Sequence, residues 1–305
     1  MAAWTMRFSG RGGDPLASFR KNPAVRTVVR YGGYLLLGLA MGAGRLFSGC
    51  GPFGLSAAAA AGAELTGVFC FVGACAGYLI SGGLFSGIRY LATLFLVFTV
   101  GFITRPAGIG EKRWFMPAAA SLMTGLTGLL YTDVEIGGVP GVMRVFLEVI
   151  LSGGCAYLFS FLLKPEKLTG EAAELRRGIG AAVMFACGLM GLVSIRLWDI
   201  LSVGRFLASL GVMAAGFCGG PLTGCAAGAA VGLGMDMGGS SGLFFTAAYA
   251  LAGLAAGGMY RCGRLTFSVS FCAANAVAVL LGWSSGARIS ALYECFAASV
   301  VFMLL

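Results

Sequence analysis

The sequence predicts an all-α protein: a polytopic bundle of about ten transmembrane helices with both termini cytoplasmic. Three observations lead there. Hydrophobic residues make up 58% of the chain, charged residues 11%, and mean hydropathy is +0.90. A soluble domain carries about 25% charged residues, so this chain has too little polar surface for water. Its apolar residues fall into separate runs of near-membrane length. Its basic residues cluster between alternate runs.

The elements follow in order. Residues 1–30 form a basic cytoplasmic N-terminal segment, with Arg7, Arg11, Arg20, Lys21, Arg26 and Arg30 against Asp14. Directly before an apolar run, this reads as a flank held inside by its charge, not as a nucleic-acid site. The first run contains Arg45 and apolar segments continue after it, so it reads as an uncleaved span and not a signal peptide. Apolar runs lie at 31–49, 51–63, 67–81, 86–104, 115–131 and 141–163, the first bundle. A polar linker, 164–177, divides the chain; Thr169 is placed to cap a short surface helix there. Runs at 178–195, 203–218, 221–234, 241–259, 265–282 and 290–305 make the second bundle. Runs 51–63 and 221–234 are short for roughly 30 Å of hydrocarbon, so the span count is ten to twelve. Both are rich in glycine and alanine, and both are expected inside the bundle, because small residues allow backbones to approach.

Loop charge sets the topology. Arg105, Lys112 and Arg113 in 105–114, the four bases of 164–177, and Arg261 with Arg264 all belong on the cytoplasmic side. Asp133, Glu135 and Asp236 lie in loops without bases and belong outside. Arg196 and Arg205 flank a loop that this path also puts outside, where the fit is imperfect. The stretch Gly51-Pro-Phe-Gly-Leu-Ser-Ala-Ala loosely parallels Gly220-Pro-Leu-Thr-Gly-Cys-Ala-Ala. On this topology the two run in opposite senses, as in inverted-repeat transporters; low complexity alone also produces such a match.

Much chemistry is excluded. The chain has no histidine, so His-based triads and His-ligated metals are out. There is no phosphate-binding G-x-x-x-x-G-K-[ST] loop. None of the ten cysteines forms a C-x-x-C pair; they read as small apolar fillers, and no metal site is predicted. The polar residues inside spans are few. Glu148 can pair with Arg144 one turn earlier, and Asn275 and Glu294 complete a candidate set of intramembrane polar contacts. They line a polar pathway or make interhelical hydrogen bonds. Arg45, Arg89, Arg205 and Arg288 lie at run ends and read as interface anchors. Gly216, Gly219, Gly220, Gly224, Gly228 and Gly232 are the expected helix-packing positions.

Gly44-Arg45, Pro52-Phe-Gly-Leu with its alanine run, Arg89-Tyr90, the segment Gly216-Phe-Cys-Gly-Gly-Pro-Leu-Thr-Gly-Cys-Ala-Ala-Gly leading to Gly232-Leu-Gly-Met, Ala250-Leu-Ala-Gly-Leu-Ala-Ala-Gly-Gly and Tyr293-Glu294 form an ordered set. This set, across residues 30–305, resembles the membrane domain of the stage II sporulation protein E family. The resemblance implies a helical membrane domain followed by a manganese-dependent serine phosphatase of the PP2C type, acting in sigma-factor activation at the sporulation septum. No phosphatase residue has a counterpart here, so the resemblance implies no catalytic residue and no cofactor in this chain. It implies an anchor whose partners are the lipid bilayer, other copies of itself and division-septum proteins. A stand-alone transporter or channel is the alternative.

Overall fold

The computed structural model describes residues 23–46, 49–135, 139–163, 171–193, 196–197, 201–238, 242–282 and 290–304. They form an all-α fold with one two-stranded hairpin. The helices are α1 (Pro23–Ala43), α2 (Phe53–Ala61), α3 (Leu65–Thr104), α4 (Phe115–Glu135), α5 (Val139–Leu163), α6 (Glu171–Leu192), α7 (Val203–Gly238), α8 (Phe244–Gly258), α9 (Arg264–Leu281) and α10 (Ser290–Leu304). Strands β1 (Arg196–Leu197) and β2 (Leu201–Ser202) pair antiparallel between α6 and α7.

Two helices are hairpins. Gly83 in α3 has φ 62° and ψ −175°, and Gly220 in α7 has φ 79° and ψ −166°. A Cβ on Gly87 would lie 3.2 Å from the Tyr78 carbonyl, and one on Gly216 would lie 3.4 Å from the Gly224 Cα. In a straight helix residues eight or nine apart are about 12 Å apart or more, so the chain reverses at both glycines. Pro221 then opens the second arm of α7, where its missing N–H costs nothing. With α3 and α7 each counted as two arms, every one of the twelve apolar runs becomes one helical segment.

Among the described residues six segments are long and apolar enough to cross a membrane: Leu65–Gly83, Gly87–Thr104, Gly141–Leu163, Ala172–Leu192, Val203–Gly238 and Arg264–Leu281. Val203–Gly238 contains the reversal at Gly220. Large apolar side chains such as Phe95, Phe102, Leu130, Phe146, Leu280 and Leu304 point outward, as they do where the surrounding solvent is lipid.

Two sequence boundaries change. α1 begins at Pro23, not 31, so Arg26 and Arg30 stand within its first turns; proline at the first helical position favours that start. α6 begins at Glu171, so the second half of the 164–177 linker is the start of a membrane-length helix and not a separate surface helix. Helix-forming residues run through Glu171-Ala-Ala-Glu-Leu-Arg-Arg with nothing to stop it. Thr169, Arg288 and residues 1–22 lie outside the described residues.

All nine residues of α2 are buried, as expected for run 51–63. Run 221–234 is buried only along its glycine face, since Leu222 and Leu233 are exposed. A helix with one small-residue stripe has one side suited to close contact, and its leucines are left for lipid. The core has two clusters. One gathers α2 with residues of α1, α3, α4, α5 and α6; the other gathers α7 to α10. α6 contributes Cys187 and Met190 to the first and Leu189 to the second, and so joins them.

Candidate functional site

The first site is built around α2. This helix is nine residues long, about 13 Å, and its first turn lies deep in the protein. Free backbone N–H groups there have no water to bind and must find partners in the chain. Two tyrosines of α3 supply them. Tyr78 Oη accepts the Leu55 N–H at 2.9 Å and donates to the Gly51 carbonyl at 2.7 Å. Tyr90 Oη accepts the Gly51 N–H at 3.0 Å and donates to Glu148 Oε1 at 2.6 Å. The two rings stack 5.1 Å apart. Ser56 Oγ donates to the Ser152 carbonyl of α5 at 3.0 Å.

Glu148 is fully buried at the centre of this arrangement. It is ion-paired with Arg89, itself 3% exposed, and Arg144 Nε lies 3.5 Å from its other oxygen. Arg144 Nη2 also donates to the Gly49 carbonyl at 2.8 Å, and the Arg89 guanidinium lies over the Tyr90 ring at 5.1 Å. One carboxylate thus faces two guanidiniums and a phenol. Burial raises the cost of each charge, and only pairing of this quality offsets it.

The second site is built around the start of α7. Glu294 of α10 accepts the Ser202 N–H at 2.9 Å, and Arg205 Nη1 lies 3.7 Å from its other oxygen. Arg205 also lies over the Phe245 ring at 4.7 Å. Tyr249 is buried beside Ser209, Arg205 and Glu294. Asp236 caps α8, accepting from Phe245 N at 3.0 Å, and from Thr246 N and Oγ1 at 2.7 Å each.

The sequence-predicted residues therefore divide. Arg144 and Glu148 meet as their spacing indicates, but the partner of shortest reach is Arg89, read from sequence as an interface anchor. Arg205 is likewise a partner of a buried acid. Arg45 turns inward too, donating from Nε to Ser81 Oγ at 3.3 Å. Asp236 is a helix cap and not a loop charge. Asn275 is buried in α9 beside Cys295 of α10. Glu148 and Glu294 take their partners from different halves of the chain. A pocket of about 120 Å³ is lined by Gly62, Ala63, Glu64, Gly101, Arg105, Gly110 and Met116; none of the three polar residues borders it.

Among the glycines, Gly224, Gly228 and Gly232 meet α8 backbone: a Cβ on each would lie 2.5, 2.2 and 2.4 Å from the carbonyls of Gly253, Tyr249 and Phe245. Gly216 packs against Phe267. Gly219 is exposed at the reversal with Thr223 against it, and Gly220 combines the backbone angle the reversal needs with burial against Gly257 of α8. Cys218 and Cys262 are exposed and so are not core fillers. Cys272 Sγ and Cys295 Sγ lie 3.8 Å apart as free thiols. Among the described residues no three or more His, Cys, Asp or Glu converge on a metal-sized space. Sequence reasoning missed Tyr78 and Tyr90 as site residues; the available signal was two phenols inside apolar runs, since a buried hydroxyl needs a partner.

No known protein family, curated protein or solved structure matches the chain.

Proposed function

We propose that this chain is the membrane domain of a protein of the stage II sporulation protein E line, a multi-span anchor that places a serine phosphatase at the sporulation septum. On this reading it crosses the bilayer about ten times with both termini cytoplasmic. It contributes no catalytic residue, and it binds no nucleic acid. Manganese belongs to the phosphatase portion. Its partners are the lipid bilayer, septum proteins and other copies of itself.

The observation that carries the reading is the use of the buried acids. Glu148 and Glu294 are each bound to backbone-anchoring groups and guanidiniums of the same half. Such groups fix helices in place, which is what an anchor requires. The residues of the resemblance also stand at structural joints: Pro52 opens α2, Arg89 and Tyr90 hold Glu148, Gly220 turns α7, and Glu294 meets α7.

The second reading, a transporter or channel, is favoured by two guanidiniums and a carboxylate inside membrane-length helices, where ionisable groups are costly and often functional. One experiment separates the two. A fluorescent fusion is followed in sporulating cells while the purified chain is tested for ion and proton flux in vesicles. The anchor reading expects septal fluorescence and flux equal to protein-free vesicles. Diffuse fluorescence together with flux that E148Q or E294Q abolishes overturns it.

A further inference from the structure

We infer that the chain is a tandem duplication of one six-segment unit, in the same orientation, and that Glu294 and Tyr249 are the second copy of Glu148 and Tyr90. The first unit is α1, α2, the two arms of α3, α4 and α5. The second is α6, the two arms of α7, α8, α9 and α10.

Several features repeat in the same order. The first segment of each unit ends in a tight antiparallel pairing, Leu46 with Cys50 and Leu197 with Leu201. The register is identical after a shift of 151 residues. Under that same shift Gly51 becomes Ser202, and these are the two residues whose backbone N–H groups reach the buried sites, one through Tyr90 and one directly to Glu294.

The joints repeat as well. Six described glycines have positive φ: Gly62, Gly83 and Gly108 in the first unit, Gly220, Gly242 and Gly263 in the second. They sit, in order, between segments two and three, three and four, and four and five. The first pair matches in both angles, φ 78° and ψ −171° at Gly62 against φ 79° and ψ −166° at Gly220. Left-handed positions are rare outside glycine, so their coincidence at every corresponding described joint is a strong sign of common structure.

The tyrosine and the acid keep their places relative to these joints, whereas the arginine that pairs the acid comes from segment four in the first unit (Arg89) and from segment two in the second (Arg205). Tyr90 stands seven residues beyond Gly83, and Tyr249 seven beyond Gly242. Glu148 and Glu294 both lie on segment six, and segment six packs on segment two in both units. Basic residues precede segment one and follow segment four in both units, which sets the two units the same way up. The repeat suggested by Gly51-Pro and Gly220-Pro is therefore out of register. Pro52 begins segment two, whereas Pro221 begins segment three. The units have also diverged. α2 has nine residues where the first arm of α7 has about twice as many, and Asp236 caps α8 with no carboxylate in the corresponding place.

The test uses the full chain in membrane vesicles. Gly83, Gly108, Gly242 and Gly263 are exposed joints with open space around them, where a short protease site is tolerated. One site is inserted at a time, and cleavage is compared in right-side-out and inside-out vesicles. Sites at 108 and 263 are expected to be cut from one face, and sites at 83 and 242 together from a single face. Native Cys262 supplies a check without insertion: an impermeant thiol reagent should reach it from the same face that cuts at 108. Opposite faces for either pair overturn the same-orientation duplication, as does labelling of Cys262 from the face opposite the cut at 108.

Discussion

At the residue scale the controlling fact is that Glu148 is shared. Its carboxylate bridges Arg89, Arg144 and Tyr90, and through Tyr90 it reaches the Gly51 backbone. Glu148→Gln leaves Arg89 buried beside a neutral amide. Breaking one side of a buried pair costs about 3–5 kcal/mol, so thermal unfolding in detergent should show a large drop in midpoint. Tyr90→Phe removes one donor and one acceptor and leaves the Gly51 N–H without its partner, at about 1–3 kcal/mol. Glu294→Gln keeps an oxygen for Ser202 N and weakens a 3.7 Å ion pair to a partly exposed Arg205, so its effect should be smaller than that of Glu148→Gln. Equal midpoints for the two Gln variants would show that burial and pairing do not rank the two sites. The Arg144 and Glu148 pair was legible because it is local, four residues on one helix. Arg89 was not, because a base at the end of an apolar run reads as snorkelling until the facing helix is known to carry an acid.

At the scale of elements, the contact between α7 and α8 depends on absent side chains. Gly228 sits against the Tyr249 carbonyl and Gly232 against that of Phe245. Backbone cannot rotate away as a side chain can, so Gly228→Ala must push the helices apart. The expected result is a loss of most detergent-stable protein by size-exclusion profile, whereas Leu222→Phe on the exposed face of the same arm should change stability by less than about 0.5 kcal/mol. The sequence pattern marked the glycine stripe well. It separated the two arms of α3 and of α7 as distinct runs, but it did not show that each pair is joined by a reversal at a single glycine, since no polar loop marks the place.

At the scale of the whole molecule, twelve runs read from hydropathy become twelve helical segments, because apolar runs and membrane thickness are both long-range, averaged properties. The pairing of segments depended on a few single residues and was not legible. Charge topology makes a direct prediction: tags placed at residue 108 and within 164–170 should be cytoplasmic, and one at 136 external, by impermeant labelling. An external signal at 108 would invert the first half. The bases near 196 and 205 that disturbed the charge pattern are partly explained, since Arg205 belongs to a buried carboxylate and is no loop charge.

The short helix α2 also bears on biogenesis. Its leading backbone groups depend on Tyr78 and Tyr90, and Tyr90 depends on Glu148. During synthesis, residues 49–56 leave the ribosome long before residue 148 does. Until the sixth segment has entered the bilayer, the second has no complete set of partners. A ribosome stalled before α5 should therefore leave α2 open to protease while α3 is already protected.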